Sequence, residues 1–323
     1  MSSRRDGAAL KRNARAHRWR MSSAAGAARG ALALLAIAAA LAHSGCVTYG
    51  CDGVASFGNL GPAVNSPFDD YAPALPDTAM LVLTSNRIVP GRGGLHEHGR
   101  ADRPTFLYSS MRLTASWDLA RPHTVLLGAD ETEGGTIAFA PSGSPFSTVA
   151  YMSSCFAADA IGGCDLYAVT AGDRPAVVNL GRDVNSPRWD GQPFVTDDGR
   201  RLYFASEREG GLGGSDIWFS ERQSSGAWGP PRNAGPVVNS AEDELSPFVE
   251  ARTNRLFFSA KVEGRGRELC VVEEGGERRF TLPAPYNSEY DEFTPFIAGG
   301  RLYLASNRPG GCGGYDLYGF VAP

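Results

Sequence analysis

The chain has 323 residues, 40 of them glycine, with 20% charged residues and a formal charge of −4. That length holds one large all-β domain or two ordinary ones, and the composition excludes a disordered chain. Residues 1–45 carry eight Lys and Arg and one acid, so the remainder sets 23 basic against 34 acidic residues, a balance of −11 that excludes nucleic acid as a partner.

In chain order, residues 1–45 read as an export leader. Basic residues from Arg4 to Arg29 precede an unbroken apolar run, Ala31 to Ala42. Such a run falls short of the roughly 20 residues of a membrane-spanning helix but fits the apolar stretch of a signal peptide. A membrane-anchoring helix is the other reading, and Met21 is an alternative start. The string Leu41-Ala42-His43-Ser44-Gly45-Cys46 resembles a bacterial lipobox, with His43 where an aliphatic residue normally stands. Lipidation of Cys46 and plain cleavage near Ala42 or Gly45 both remain open. Residues 46–58 form a short tether, and residues 59–323 a single domain. Export permits disulfides. Cys155 and Cys164 flank one loop and are expected to close it, while Cys51, Cys270 and Cys312 have no assignment.

Five copies of one phrase follow. The first has Tyr71 to Leu75, a turn at Pro76-Asp77, Met80 to Ser85, then Phe106 to Ser109. The second has Thr136 to Ala140, Val149 to Ser153 and Asp165 to Val169. The third, Gln192 to Ser220, is the clearest: an apolar strand, the tight turn Asp197-Asp198-Gly199, a strand Leu202 to Ser206, a Gly-rich loop and a strand Asp216 to Ser220. The fourth has Ser246 to Glu250, Leu256 to Ala260 and Glu268 to Val272, and the fifth runs from Thr294 to Phe320. Anchored on Pro73, Ala138, Pro193, Pro247 and Pro295, the steps are 65, 55, 54 and 48 residues. The longest contains a polar insertion, Ile88 to Arg103. Runs such as Ala176 to Leu180 and Ala227 to Ala234 supply a fourth, outer strand ahead of the next copy. They lead to a repeated Asn-Ser pair at residues 185, 239 and 287, which also stands at Asn65-Ser66 before the first copy.

A period near 50 residues with four strands per copy predicts an all-β chain folded as a β-propeller. Five blades are counted, and six would need a cryptic blade around the insertion. The chain opens on an outer strand without a blade and ends on a third strand. The N-terminal strand is therefore expected to complete the last blade and close the ring. The phrases SPFV, DDGRRLYFAS, SNRPGGCGGYDLY and VNS resemble the WD-repeat-like propeller repeats of the TolB type over roughly residues 60 to 320. The resemblance implies a propeller located outside the cytoplasm and little about activity. The first copy lacks the GGxGGxD loop and the second lacks the SNR-type phrase.

An acid stands three positions before the anchor in four copies: Asp70, Asp190, Glu244 and Glu292. These carboxylates either ring one mouth of the central channel, holding a cation or basic peptide, or pair with Arg87, Arg208 and Arg308, which follow the second strand. The second copy has Gly135 and Cys155 at the two places, a joint loss that favours pairing, and Lys261 lies one position early in the fourth. Asp165, Asp216 and Asp316 follow Gly-rich turns and are expected to brace them. His96 and His98 form an H-x-H within the insertion that offers two imidazoles to a metal. Trp189, Tyr203, Trp218 and Tyr290 are candidate aromatic contacts. No G-x-S-x-G elbow, H-E-x-x-H helix or nucleotide-binding glycine fingerprint occurs.

The expectation is an exported, monomeric propeller of the periplasm or outer membrane, without cofactor, that binds a protein, peptide or glycan near the channel mouth. Its membrane contact would come only through a lipid on Cys46. The alternative is a glycoside hydrolase using the channel carboxylates.

Overall fold

Strand pairing follows the repeat. The computed structural model describes residues 57–87, 105–114, 116–123, 135–141, 148–155, 157–170, 176–273 and 275–323. All lie C-terminal to a division of the chain between Thr48 and Tyr49. The leader, the lipobox cysteine Cys46, the H-x-H pair His96 and His98 and the whole insertion, Ile88 to Arg103, fall outside the described residues.

Five antiparallel sheets are present. The first is β1 (Asp70–Ala74), β2 (Met80–Ser85), β3 (Phe106–Met111) and β4 (Arg121–Pro122). The second is β5 (Ile137–Phe139), β6 (Thr148–Ser154), β7 (Asp165–Thr170) and β8 (Ala176–Asn179). The third is β9 (Asp190–Val195), β10 (Arg201–Ser206), β11 (Asp216–Glu221) and β12 (Arg232–Asn233). The fourth is β13 (Glu244–Glu250), β14 (Arg255–Val262), β15 (Gly266–Val272) and β16 (Arg279–Thr281), and the last is β17 (Glu292–Ala298), β18 (Arg301–Ser306) and β19 (Asp316–Val321). Each sheet is a meander, and together they form a five-bladed β-propeller. No cryptic sixth blade occurs among the described residues.

Central strands such as RLYFAS and RLYLAS read as nearly continuous apolar runs because both faces are covered by neighbouring blades. The core is accordingly divided into wedges. One cluster joins Tyr151 and Leu166 to Val195 and Phe204 across the second and third blades. Another joins Ile217 to Phe258 across the third and fourth, and a third joins Phe257 and Leu269 to Leu302 and Tyr318 across the fourth and fifth. Leu81 and Leu83 meet Ala305 and Leu317 between the fifth and first, and Val82 meets Met152 between the first and second.

The first strand of every blade but the second carries a bulge. Ala72, Gln192, Ser246 and Thr294 have φ of 50°, 55°, 56° and 51°, each directly before a proline. Proline disfavours the right-handed helical region for the residue before it, and the left-handed alternative costs a non-glycine residue roughly 1–2 kcal/mol. Register shifts at these points in β1, β9, β13 and β17. β5 has Ala138 at the anchor, no proline, and an unbroken register. Thr294 Oγ1 accepts from Ala72 N at 3.2 Å and Gln192 Oε1 from Ser246 N at 2.7 Å, so strained residues of different blades hold one another.

The N-terminal segment closes the ring. Asn59 bridges Tyr318, Leu60 N donates to Leu317 O, and Gly319 N donates to Gly58 O. The Asn65 side chain then imitates a strand, donating to Leu317 O at 3.0 Å and accepting from Leu317 N at 2.8 Å. Asn185 and Asn287 do the same to Leu166 and Leu269, and Asn239 to Ile217. The Asn of the repeated Asn-Ser pair therefore ties the outer edge of one blade to its third strand.

Candidate functional site

The four inner-strand carboxylates lie at the start of β1, β9, β13 and β17, where a mouth-facing ring was one of two expectations. All four are 0% exposed. Asp190 accepts from Ser186 N and Oγ at 2.6 and 2.7 Å, from Ser206 Oγ at 2.5 Å and from Arg208 Nη2 at 2.6 Å. The Arg208 guanidinium continues to Val184 O and lies 4.9 Å from the Phe204 ring and 5.2 Å from that of Trp218. Asp70 with Ser66 and Arg87, and Glu292 with Ser288, Ser306 and Arg308, repeat this cage. The arginines stack on Tyr108 and Tyr318. These three carboxylates are enclosed by serine and arginine.

The fourth blade reaches the same end by another route. Its register places Ala260 where Ser206 and Ser306 stand and Cys270 where Trp218 and Tyr318 stand. A small thiol stands in place of the aromatic ring, and Arg279 of the outer strand β16 reaches Glu244 at 3.0 Å. Lys261 instead pairs with Glu242 at 3.2 Å. Burial pushes the Glu244 carboxyl up, with Ser240 and Arg279 pulling the other way. In the second blade Gly135 replaces the acid, and Cys155, in the arginine position, forms a disulfide with Cys164. Cys312 is also disulfide-bonded, and Cys270 is free and buried.

Loop carboxylates are equally occupied. Asp216 accepts from Leu212 N at 2.6 Å, Gly213 N at 3.0 Å and Asn233 Nδ2 at 2.6 Å. Asp165 and Asp316 repeat this with Ile161, Gly162 and Asn179 and with Cys312, Gly313 and Asn59. Burial pushes the Asp316 carboxyl up. A second set escaped sequence reasoning. Asp69, Asp243 and Asp291, one residue before each buried acid, accept from Tyr315 N, Ser215 N and Arg267 N of the preceding blade. Their signal was the doublet of acids; in the third blade Trp189 replaces the first acid and bridges Cys164.

At the axis, a cavity of about 50 Å³ is lined by Gln192, Ser246, Thr294, Thr136 and the anchor prolines. That volume admits a few water molecules, since one needs roughly 10–15 Å³ on this measure. It is far below the roughly 300 Å³ at which small-molecule pockets begin. Larger concavities lie off the axis. A groove of about 1050 Å³ between the third and fourth blades is lined in part by Tyr203, Phe219, Asp197 and Arg200. A pocket of about 590 Å³ between the fourth and fifth blades is lined in part by Glu268, Pro283, Glu289, Tyr290 and Arg308. Of the candidate aromatics, Trp218 is core, Trp189 and Tyr203 are half-buried, and Tyr290 is exposed in that pocket. Among the described residues no group of three or more His, Cys, Asp or Glu is arranged to hold a metal ion.

No family model matches the chain, and no curated protein matches it either. Among solved structures it is similar to an α-L-arabinofuranosidase from Lactobacillus brevis, at 13% identity over 83% of this chain and 94% of that one, with a TM-score of 0.50. It is also similar to an endo-arabinase from Bacteroides thetaiotaomicron VPI-5482, at 11% identity over 83% and 96% with a TM-score of 0.47. TolB from Acinetobacter baumannii matches at 13% identity over 78% of this chain with a TM-score of 0.42, and the chain spans 55% of that protein's length. At such identities the likeness shows the propeller fold alone.

Proposed function

We propose that the protein is an exported, non-catalytic binding module of the cell envelope, presenting a rigid propeller face to a protein, peptide or glycan. One observation carries the reading: every inner-strand carboxylate that a glycosidase would use is fully enclosed and hydrogen-bonded to serine or arginine. A carboxylate with its acceptor sites occupied neither protonates a leaving group nor attacks a sugar carbon. The axial cavity of about 50 Å³ supports the same conclusion, because a pyranose does not fit. Export rests on the leader-like composition of residues 1–45 and agrees with the disulfide between Cys155 and Cys164. Lipid attachment at Cys46 would hold the propeller at a membrane surface.

The test sets binding against turnover. Arrays of oligosaccharides and peptides incubated with the protein should show saturable capture and no cleaved product by mass spectrometry. Glu292→Gln should lower the melting temperature. Hydrolysis that Glu292→Gln abolishes at unchanged melting temperature would reverse the reading in favour of a glycoside hydrolase.

A further inference from the structure

Repeat symmetry breaks at the pocket between the fourth and fifth blades. In three blades the acid opening the third strand accepts two backbone N–H groups and an Asn side chain. The fourth blade puts Glu268 at that register position and Thr281 at the position of the Asn. Its connection, Val262 to Gly266, is too short to curl backbone amides around the acid. Glu268 is 4% exposed, yet among the described residues its one side-chain partner is Arg265, at 3.1 Å, whose own side chain is 71% exposed. A buried carboxylate with about four acceptor sites is thus left to a solvent-exposed cation.

We infer that this pocket is a receptor for a basic side chain of a peptide, with Glu268 as the anionic anchor and Tyr290 as the aromatic platform. The inference rests on the binding-module reading above. Arg265 already demonstrates the chemistry, since a guanidinium sits against Glu268 within the same chain. That pair is weakly held because one partner is mostly in water, so an incoming guanidinium displaces it at little cost. Tyr290 is 42% exposed and lines the same pocket, which supplies an accessible aromatic ring for an incoming cation. Arginine suits the site better than lysine, because its planar fork serves a carboxylate and stacks on a ring together. Glu289 adds a second acid at the rim, while the Arg308 guanidinium is committed to Glu292, Pro285 O and Tyr286 O and does not oppose a cation. The acidic balance of the chain beyond residue 45 favours encounter with basic partners.

The probe is the fluorescein-labelled peptide Gly-Ala-Arg-Ala-Gly, titrated by anisotropy into the full-length chain beside an analogue with citrulline for arginine. Saturable binding is expected, weakened about tenfold by citrulline and about tenfold by Glu268→Gln, as loss of one charge-assisted contact implies. Tyr290→Ala should weaken it about threefold. Arg265→Ala, with its fold checked by circular dichroism and thermal melting, should tighten it severalfold by removing the internal competitor. Equal binding of the citrulline peptide, absence of saturable binding, or no tightening in Arg265→Ala would overturn the inference. A neutral oligosaccharide bound with the same dependence on Glu268 overturns the ligand class and leaves the non-catalytic reading standing. Cleavage of either probe overturns both.

Discussion

At Asp190 the carboxylate is sealed from water and surrounded by two serines and Arg208. Desolvating two charges costs about as much as their attraction returns, so the pair specifies geometry more than it adds stability. Removing one partner strands the other. Asp190→Ala should therefore cost about 3–5 kcal/mol in urea unfolding, whereas Asp190→Leu combined with Arg208→Met should recover most of that loss. Lys261→Ala offers the contrast: its pair with Glu242 has both side chains about half exposed and should cost under about 1 kcal/mol. His123 gives a pH signature. Burial holds its imidazole below the ordinary value, and among the described residues its Nε2 has no hydrogen-bond partner. The folded state then binds fewer protons than the unfolded chain, so this contribution is present above about pH 6.5 and is lost as pH falls through the lowered value. Melting temperatures between pH 5 and 7.5 should fall more steeply for wild type than for His123→Gln.

Between blades, the Gly-rich loops act as close-packing surfaces. A Cβ on Gly313 would fall 1.9 Å from Phe68 O, on Gly213 1.9 Å from Glu242 O, and on Gly162 2.1 Å from Arg188 O. Each contact sets the loop of one blade against the Asn-Ser segment leading into the next. Gly313→Ala should force that seam apart and destabilise the protein by several kcal/mol, measured by thermal unfolding, because the obstacle is backbone and does not rotate away. Gly235→Ala meets nothing within 4 Å and carries only the strain of its positive φ of 84°, about 1 kcal/mol. The two substitutions separate close approach from backbone conformation.

Across the whole molecule, closure is the event on which the other contacts depend. Asn65 is 3% exposed and holds both backbone groups of Leu317, 252 residues away. Asn65→Ala should leave those groups unsatisfied and cost about 2–3 kcal/mol. It should also raise hydrogen exchange in β19 and β1 well above that in β10, because an opened ring frays from its seam. Equal protection in all three strands would show that the ring does not depend on this clasp.

The repeat, its five-fold count, the order of strands and the joining of the first segment to the last blade were all legible in the amino-acid string. They depend on local periodicity, turn chemistry and copies that read alike. The partnership of acid and arginine was legible for the same reason, since both partners vanish together at Gly135 and Cys155. What each carboxylate faces was not, because burial depends on neighbouring blades far away in sequence. The Arg279 contact to Glu244 accompanies Cys270 at the register position where other blades carry an aromatic ring. The pocket at Glu268 and Tyr290 exists only where two imperfect copies meet. Periodicity describes what repeats, and tertiary packing decides what becomes of the places where repetition fails.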